Sequence, residues 1–323
     1  MRAAMTRRTQ YFSPDDDDEA DIEYRELESP EIETGTLAIQ PEPSAASSSD
    51  KDLWTKGMNP YTPGRPLIEI IQAKISPEDE RKSIKRYVIY ILQVAQNTKT
   101  HRDLQPVTIE RRYTDFLNLN TSLRQKFPEI FAEQKIYFPK KVLMGNFSPD
   151  LIAQRGEAFE CFLEFIVNKP QLRDSQYFIQ FLQNPELSKA CQLLEERRNE
   201  LAVPIMENCF TLMNKIYMDR SRPVLLILCR LVTACTTSPV PYPTAEKWVD
   251  LALRRYEGVC DADLLSLYIP LLDTAAHLWW QKGRDKTLIT ERLTDLARKG
   301  INVTGAPSLT QAIHKLDPRT EII

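Results

Sequence analysis

Two patterns of apolar and polar positions divide the chain. Between residues 67 and 113 the apolar side chains come in short runs rich in Ile, Val and Tyr. Leu67–Ile75 (LIEIIQAKI) and Tyr87–Val94 (YVIYILQV) predict two strands, and Pro77-Glu78-Asp79-Glu80 predicts the hairpin turn between them. Val107–Tyr113 (VTIERRY) puts Val107 and Ile109 on one face and predicts a third strand. The period then changes. Phe116, Leu119 and Leu123 recur at helical spacing, predicting a helix over Phe116–Lys126 with Thr114 as its N-cap and Phe127-Pro128 as its stop. A second helix is predicted from Pro149 to Asn168, with Leu151, Ile152, Phe159, Phe162, Leu163 and Ile166 as its buried stripe. A third, Leu172–Leu182, is expected to end before Asn184-Pro185.

Beyond Pro185 the pattern is helical throughout. The expected segments are Leu187–Glu200, Ile205–Met218, Pro223–Thr236, Thr244–Tyr256, Asp263–Gln281, Lys286–Lys299 and Leu309–Leu316, joined by short linkers. Helices of this length and spacing suggest antiparallel hairpins stacked in a TPR-like array, although no 34-residue repeat is legible. Trp279-Trp280 is expected to place one ring in the core and one at a helix interface. At the other end, residues 1 to 60 have no period. Asp15–Glu19, the serines at 44, 47, 48 and 49 and scattered prolines give the composition of a disordered acidic tail. Ser13-Pro14 and Ser29-Pro30 are its candidate phosphorylation sites. Three regions follow: a disordered tail over 1–65, an α+β domain over 66–187 with a three-stranded antiparallel sheet packed on helices, and an all-α TPR-like domain over 188–323.

Charge and composition narrow the function. Residues 1–65 hold 14 acidic and 7 basic side chains, whereas 66–187 hold 17 basic and 15 acidic. The folded part is thus only mildly basic, and nucleic acid is not an expected partner. No run approaches the ~20 apolar residues of a spanning helix, and no signal peptide is legible at the N-terminus, so membrane association is expected to be peripheral. Six cysteines without a Cys-x-x-Cys pair and three scattered histidines give no metal site. Cys161 and Cys209 fall in apolar stripes and are read as buried thiols. With no glycine-rich phosphate loop and no Gly-x-Ser-x-Gly motif, the chain is read as having no catalytic residues and no cofactor.

The chemistry concentrates in Glu110-Arg111-Arg112-Tyr113-Thr114-Asp115-Phe116. A guanidinium fork grips a phosphate through two hydrogen bonds, which a lysine point charge does less well. The phenol beside it offers an apolar face with a polar tip. Downstream, Phe138-Pro139-Lys140-Lys141 adds two cations in an extended segment. Val142, Leu143, Met144 and Phe147 then form an apolar loop, suited either to dipping into a membrane interface or to packing on the second helix.

Three strands, a helix, a basic Pro-containing loop and two helices, with Arg112-Tyr113-Thr114-Asp115-Phe116 at the strand–helix junction, resemble the PX domain of the sorting nexins over residues 66 to 187. The family's motif has Ser where this chain has Thr114, a change that keeps the hydroxyl. The resemblance implies that Arg112 holds the 3-phosphate of an inositol lipid and that Tyr113 underlies the sugar ring. It also implies that Lys141 meets the 1-phosphate, with Lys140 as competitor, and that Arg155 meets ring hydroxyls. The second half resembles the family's small branch with a PX-associated domain B. The expectation is therefore a non-enzymatic adaptor in endosomal protein trafficking. It is expected to bind phosphatidylinositol 3-phosphate, to sit in the cytoplasm and peripherally on early endosomes, and to engage protein cargo or adaptors through 188–323. The alternative is a cytosolic TPR-like scaffold whose PX fold no longer binds lipid. The two are separated by whether binding to phosphoinositide vesicles exists and depends on Arg112.

Overall fold

The computed structural model of the protein describes residues 65–77, 86–97, 103, 105–142, 144–259 and 261–318. The acidic tail before residue 65, the predicted turn at 78–80, Leu143 and Cys260 lie outside these residues. β1 (Arg65–Ile75), β2 (Val88–Asn97) and β3 (Val107–Arg112) form an antiparallel sheet in the order β1-β2-β3. Alternation buries Tyr90, Leu92 and Val94 with Val107 and Ile109 on one face. Pairing slips between Ile70 opposite Leu92 and Gln72 opposite Ile91, a bulge that leaves Ile71 exposed. At the bulge the Ile70 N–H donates to Glu160 Oε1 at 2.6 Å.

The helices that cover the sheet are α1 (Tyr113–Lys126), α2 (Pro128–Glu133), α3 (Pro149–Asn168), α4 (Pro170–Arg173) and α5 (Gln176–Glu195). Each of α2, α3 and α4 begins with proline, whose missing N–H has no partner to lose in a first turn. Phe116 of α1 stacks face to face on Phe159 of α3, with ring centroids 3.9 Å apart. The cap of α1 is not Thr114, which lies exposed in the first turn. The helix starts directly at the strand end, and the Asp115 carboxylate accepts the Arg112 N–H at 2.7 Å.

The expected stop before Pro185 is also absent, because α5 runs through it. Proline cannot donate to the carbonyl four residues earlier, which frees the Phe181 oxygen. Arg111 Nε fills that vacancy with a bond of 2.6 Å. The helix ends instead at Glu195, where Arg197 adopts φ 57°. Arg198 N–H then bonds Leu193 O at 2.8 Å and Arg197 N–H bonds Leu194 O at 2.9 Å. This left-handed cap closes the helix earlier than the expected Glu200.

The remaining helices are α6 (Asn199–Ile216), α7 (Arg222–Thr236), α8 (Ala245–Tyr256), α9 (Ala262–Leu265), α10 (Tyr268–Gln281), α11 (Thr287–Arg298) and α12 (Leu309–Leu316). The segment expected as one helix over 263–281 is therefore broken at Ser266-Leu267. From α5 to α8 each helix packs on the next, and α7, buried from Val224 to Cys235, is the axis on which α6, α8, α10 and α12 converge. Trp279 packs at the core edge, whereas Trp280 is exposed rather than held at a helix interface. Cys209 is buried as expected, and burial pushes its thiol up to about 12. Cys161 is exposed, contrary to expectation, because it shares the outer face of α3 with the exposed Glu157 and Glu164.

Sheet and helices share one continuous core, and α6 packs on all three strands. Gln96 Nε2 donates to Lys215 O at 3.0 Å, and Lys215 pairs with Asp103. Burial alone would raise the Asp103 carboxyl. Bonds from Lys215 and from the Gln96 and Gln105 N–H groups outweigh it and hold the group below its ordinary range.

Candidate functional site

Arg111 and Arg112 close β3 and point to opposite faces, as consecutive strand residues must. Arg111 is 1% exposed. It makes a bidentate pair with Glu186 at 2.7 and 2.9 Å and also donates to Glu110 O at 2.6 Å. Four of its five N–H donors are spent inside the fold and its charge is paired with Glu186, so it is no phosphate ligand. Arg112 is exposed, with its guanidinium carbon 3.6 Å from the centroid of Tyr87 and Nη2 donating to the Tyr87 hydroxyl at 2.7 Å. Its remaining donors make no bond to the described residues.

Tyr113 begins α1 with its ring against Phe138 and Phe159, and its hydroxyl donates to Pro139 O at 2.8 Å. The Arg155 guanidinium lies over that ring, 4.4 Å from its centroid. Burial raises the Tyr113 phenol, with Arg155 working against the rise, so the phenol stays a proton donor at neutral pH. Arg155 itself is 3% exposed. Nη1 donates to Asn146 Oδ1 at 3.1 Å and Nη2 to Lys140 O at 3.4 Å. Among the described residues it has no carboxylate partner, although a buried cation normally requires one.

The Pro-containing loop is drawn to this point by those same bonds. Lys140 and Lys141 are both exposed on it. Asn146 Nδ2 also donates to Val142 O at 3.1 Å, and Gly145 turns the chain at φ 74°. Val142 is half-buried, Met144 is 85% exposed, and Phe147 is exposed with the Arg86 guanidinium 5.4 Å from its ring centroid. Thus Tyr113, Arg155 and the loop at Pro139–Lys140 come together, while Arg112, next to Tyr113 in the chain, packs on Tyr87 and Thr114 is exposed on the adjacent turn. The sequence reading missed Tyr87 and Asn146. Tyr87 carried only a strand signal, and Asn146 only the turn signal of Gly145-Asn146.

A family model described as PX domain matches residues 99–185, which include Arg112, Tyr113, Lys141 and Arg155. The three-stranded antiparallel sheet followed by helices is the PX fold, and it defines a PX-domain protein. Human sorting nexin-21 is 30% identical over 265 residues, covering 82% of this chain and 68% of that protein. Bovine sorting nexin-20 is 30% identical over 234 residues, covering 71% and 69% respectively. The crystal structure of the mouse SNX19 PX domain with bound sulphate ion matches at 22% identity and a TM-score of 0.29, over 35% of this chain and 92% of that one. The chain belongs to the sorting nexin family.

Proposed function

We propose that the protein is a non-enzymatic trafficking adaptor whose Arg112–Tyr113–Arg155 cluster binds the headgroup of phosphatidylinositol 3-phosphate on the cytoplasmic face of early endosomes. The observation that carries this reading is Arg155, a guanidinium buried on a tyrosine ring with no protein carboxylate among the described residues. A buried cation without a counter-charge costs several kcal/mol, and the negative charge of a headgroup bound beside it offsets part of that cost. Arg112 supplies an open fork beside it. In this reading the phosphomonoester lies against Arg112, the sugar ring lies over Tyr113 beside Thr114, Arg155 meets ring hydroxyls, and Lys141 or Lys140 meets the phosphodiester.

Membrane attraction of a basic side chain is worth about 1 kcal/mol. A second contact is needed, and the exposed Met144 and Phe147, with Val142 and Leu143, supply it by entering the interface. Residues 66–187 act as the lipid-binding unit. Residues 188–323, a TPR-like PX-associated domain B, hold the protein cargo or adaptor, and the two weak attachments reinforce each other. No described helix is long and apolar enough to cross a membrane, which suits a peripheral protein.

The test is co-sedimentation with liposomes that contain or lack phosphatidylinositol 3-phosphate. Wild type is expected to sediment only with the inositide, and Arg112→Ala and Arg155→Ala are expected to stay in the supernatant. Wild type remaining in the supernatant with both vesicles would establish the other reading, a cytosolic scaffold.

A further inference from the structure

We infer that Tyr87 is a further ligand of the anion site: it fixes Arg112 for capture and adds its own hydroxyl to the same phosphate. The inference rests on the headgroup reading above. An arginine at an exposed strand end has many rotamers, and ordering them on binding costs affinity. Here the side chain is ordered in advance. Its guanidinium carbon lies over the Tyr87 ring, 3.6 Å from the centroid, and Nη2 is tethered by the phenol oxygen at 2.7 Å.

Tyr87 is itself held. The buried Ser76 donates its N–H to Tyr87 O at 2.8 Å, and the Tyr87 N–H donates to Ser76 Oγ at 3.2 Å. This pair ties Tyr87, one residue before β2, to Ser76, one residue after β1, so the phenol is anchored to the end of the sheet.

The direction of the tether matters. Arginine only donates, so the Tyr87 oxygen accepts from Nη2. Its own O–H proton is therefore unspent, and no described residue accepts it. Arg112 Nε and Nη1 are likewise uncommitted. Four N–H groups of Arg112 and the O–H of Tyr87 thus stand together at the strand end, more than a two-oxygen acceptor can fill. A phosphomonoester presents three equivalent acceptor oxygens, whereas a phosphodiester presents two. The arrangement favours a terminal monoester on the sugar over the diester that links the sugar to glycerol. Tyr87 lies 25 residues before Arg112 and outside the Arg112–Phe116 motif, so this preference comes from the residue that precedes β2 rather than from the motif.

The experiment is a calorimetric titration of the full chain with water-soluble, short-chain phosphatidylinositol 3-phosphate, which removes the membrane contribution. Tyr87→Phe keeps the stack and deletes the donor, so binding is expected to weaken about three- to tenfold. Tyr87→Ala is expected to weaken it further. Repeating Tyr87→Ala in an Arg112→Lys background isolates the coupling, because lysine has no flat fork to stack, and the loss is expected to shrink there. Wild-type affinity in Tyr87→Phe and Tyr87→Ala would overturn the inference and leave the headgroup reading standing. An equal loss from Tyr87→Ala in both backgrounds would also overturn it, since Tyr87 would then act on the fold alone. A wild-type chain without saturable binding would remove the headgroup reading and this inference together.

Discussion

Arg155 is the side chain whose surroundings demand an explanation. Its guanidinium is covered by protein, faces the ring of Tyr113 and bonds the neutral oxygens of Asn146 and Lys140. Those bonds orient it without neutralising it. Lysine at this position would keep the charge and lose the flat fork, so Arg155→Lys is expected to lower headgroup affinity about tenfold. The fold should remain intact, which a soluble-inositide titration beside a thermal melt checks. Equal affinity would make the position a simple charge. How much of the site could be read beforehand follows from distance along the chain. Arg112 and Tyr113 are adjacent and announce themselves as one motif. Arg155 was legible only through the family resemblance. Tyr87 and Asn146 were not legible, because nothing local distinguishes a phosphate-facing tyrosine from a strand tyrosine, or a tethering asparagine from a turn residue.

At the scale of elements, the decisive contact joins the end of β3 to the middle of α5. Pro185 read as a helix stop because the rule is local: a missing N–H and a crowded carbonyl usually end a helix. The rule fails here because Arg111, distant in sequence, satisfies the freed Phe181 carbonyl and pairs with Glu186 one residue beyond the proline. The sequence alone leaves open whether Arg111 adds a second phosphate contact beside Arg112. Only the strand's alternation against α5 decides the matter. Arg111→Ala should therefore act on stability first, leaving the carbonyl and the Glu186 carboxylate without their partner. A loss of about 3 kcal/mol is expected in chemical denaturation. An unchanged denaturation midpoint would mean that α5 tolerates Pro185 without help. The strands, and α3 with its proline start, were legible because period and capping residues agree locally. The cap of α1 was not, because strand and helix meet there without a linker residue.

Over the whole molecule, the division of the chain at 187/188 cuts α5 a little past its midpoint, although the family match itself ends at 185. Pro185 marks where the expected all-helical region begins, although the last strand already ends at Arg112. It does not mark where packing stops, since α6 lies on all three strands and joins the sheet's core. Lys215, near the end of α6, pairs with Asp103 before β3, while its carbonyl accepts from Gln96 of β2. Tyr217 closes the same seam with a bond from its hydroxyl to Arg173 O at 2.7 Å. A lipid site on the sheet and a cargo surface on the helices would then turn together, which fixes the angle at which cargo meets the membrane. The consequence is measurable by truncation. Residues 66–187 alone lose α6, the second half of α5 and the Asp103–Lys215 pair, and they expose buried apolar surface on the sheet. This fragment is expected to melt well below the full chain and to aggregate. Extension to residue 218 restores α5, α6 and Tyr217, and should recover most of the difference. Equal melting of the short fragment and the full chain would show that the seam carries no stability, and the coupled orientation would fall with it.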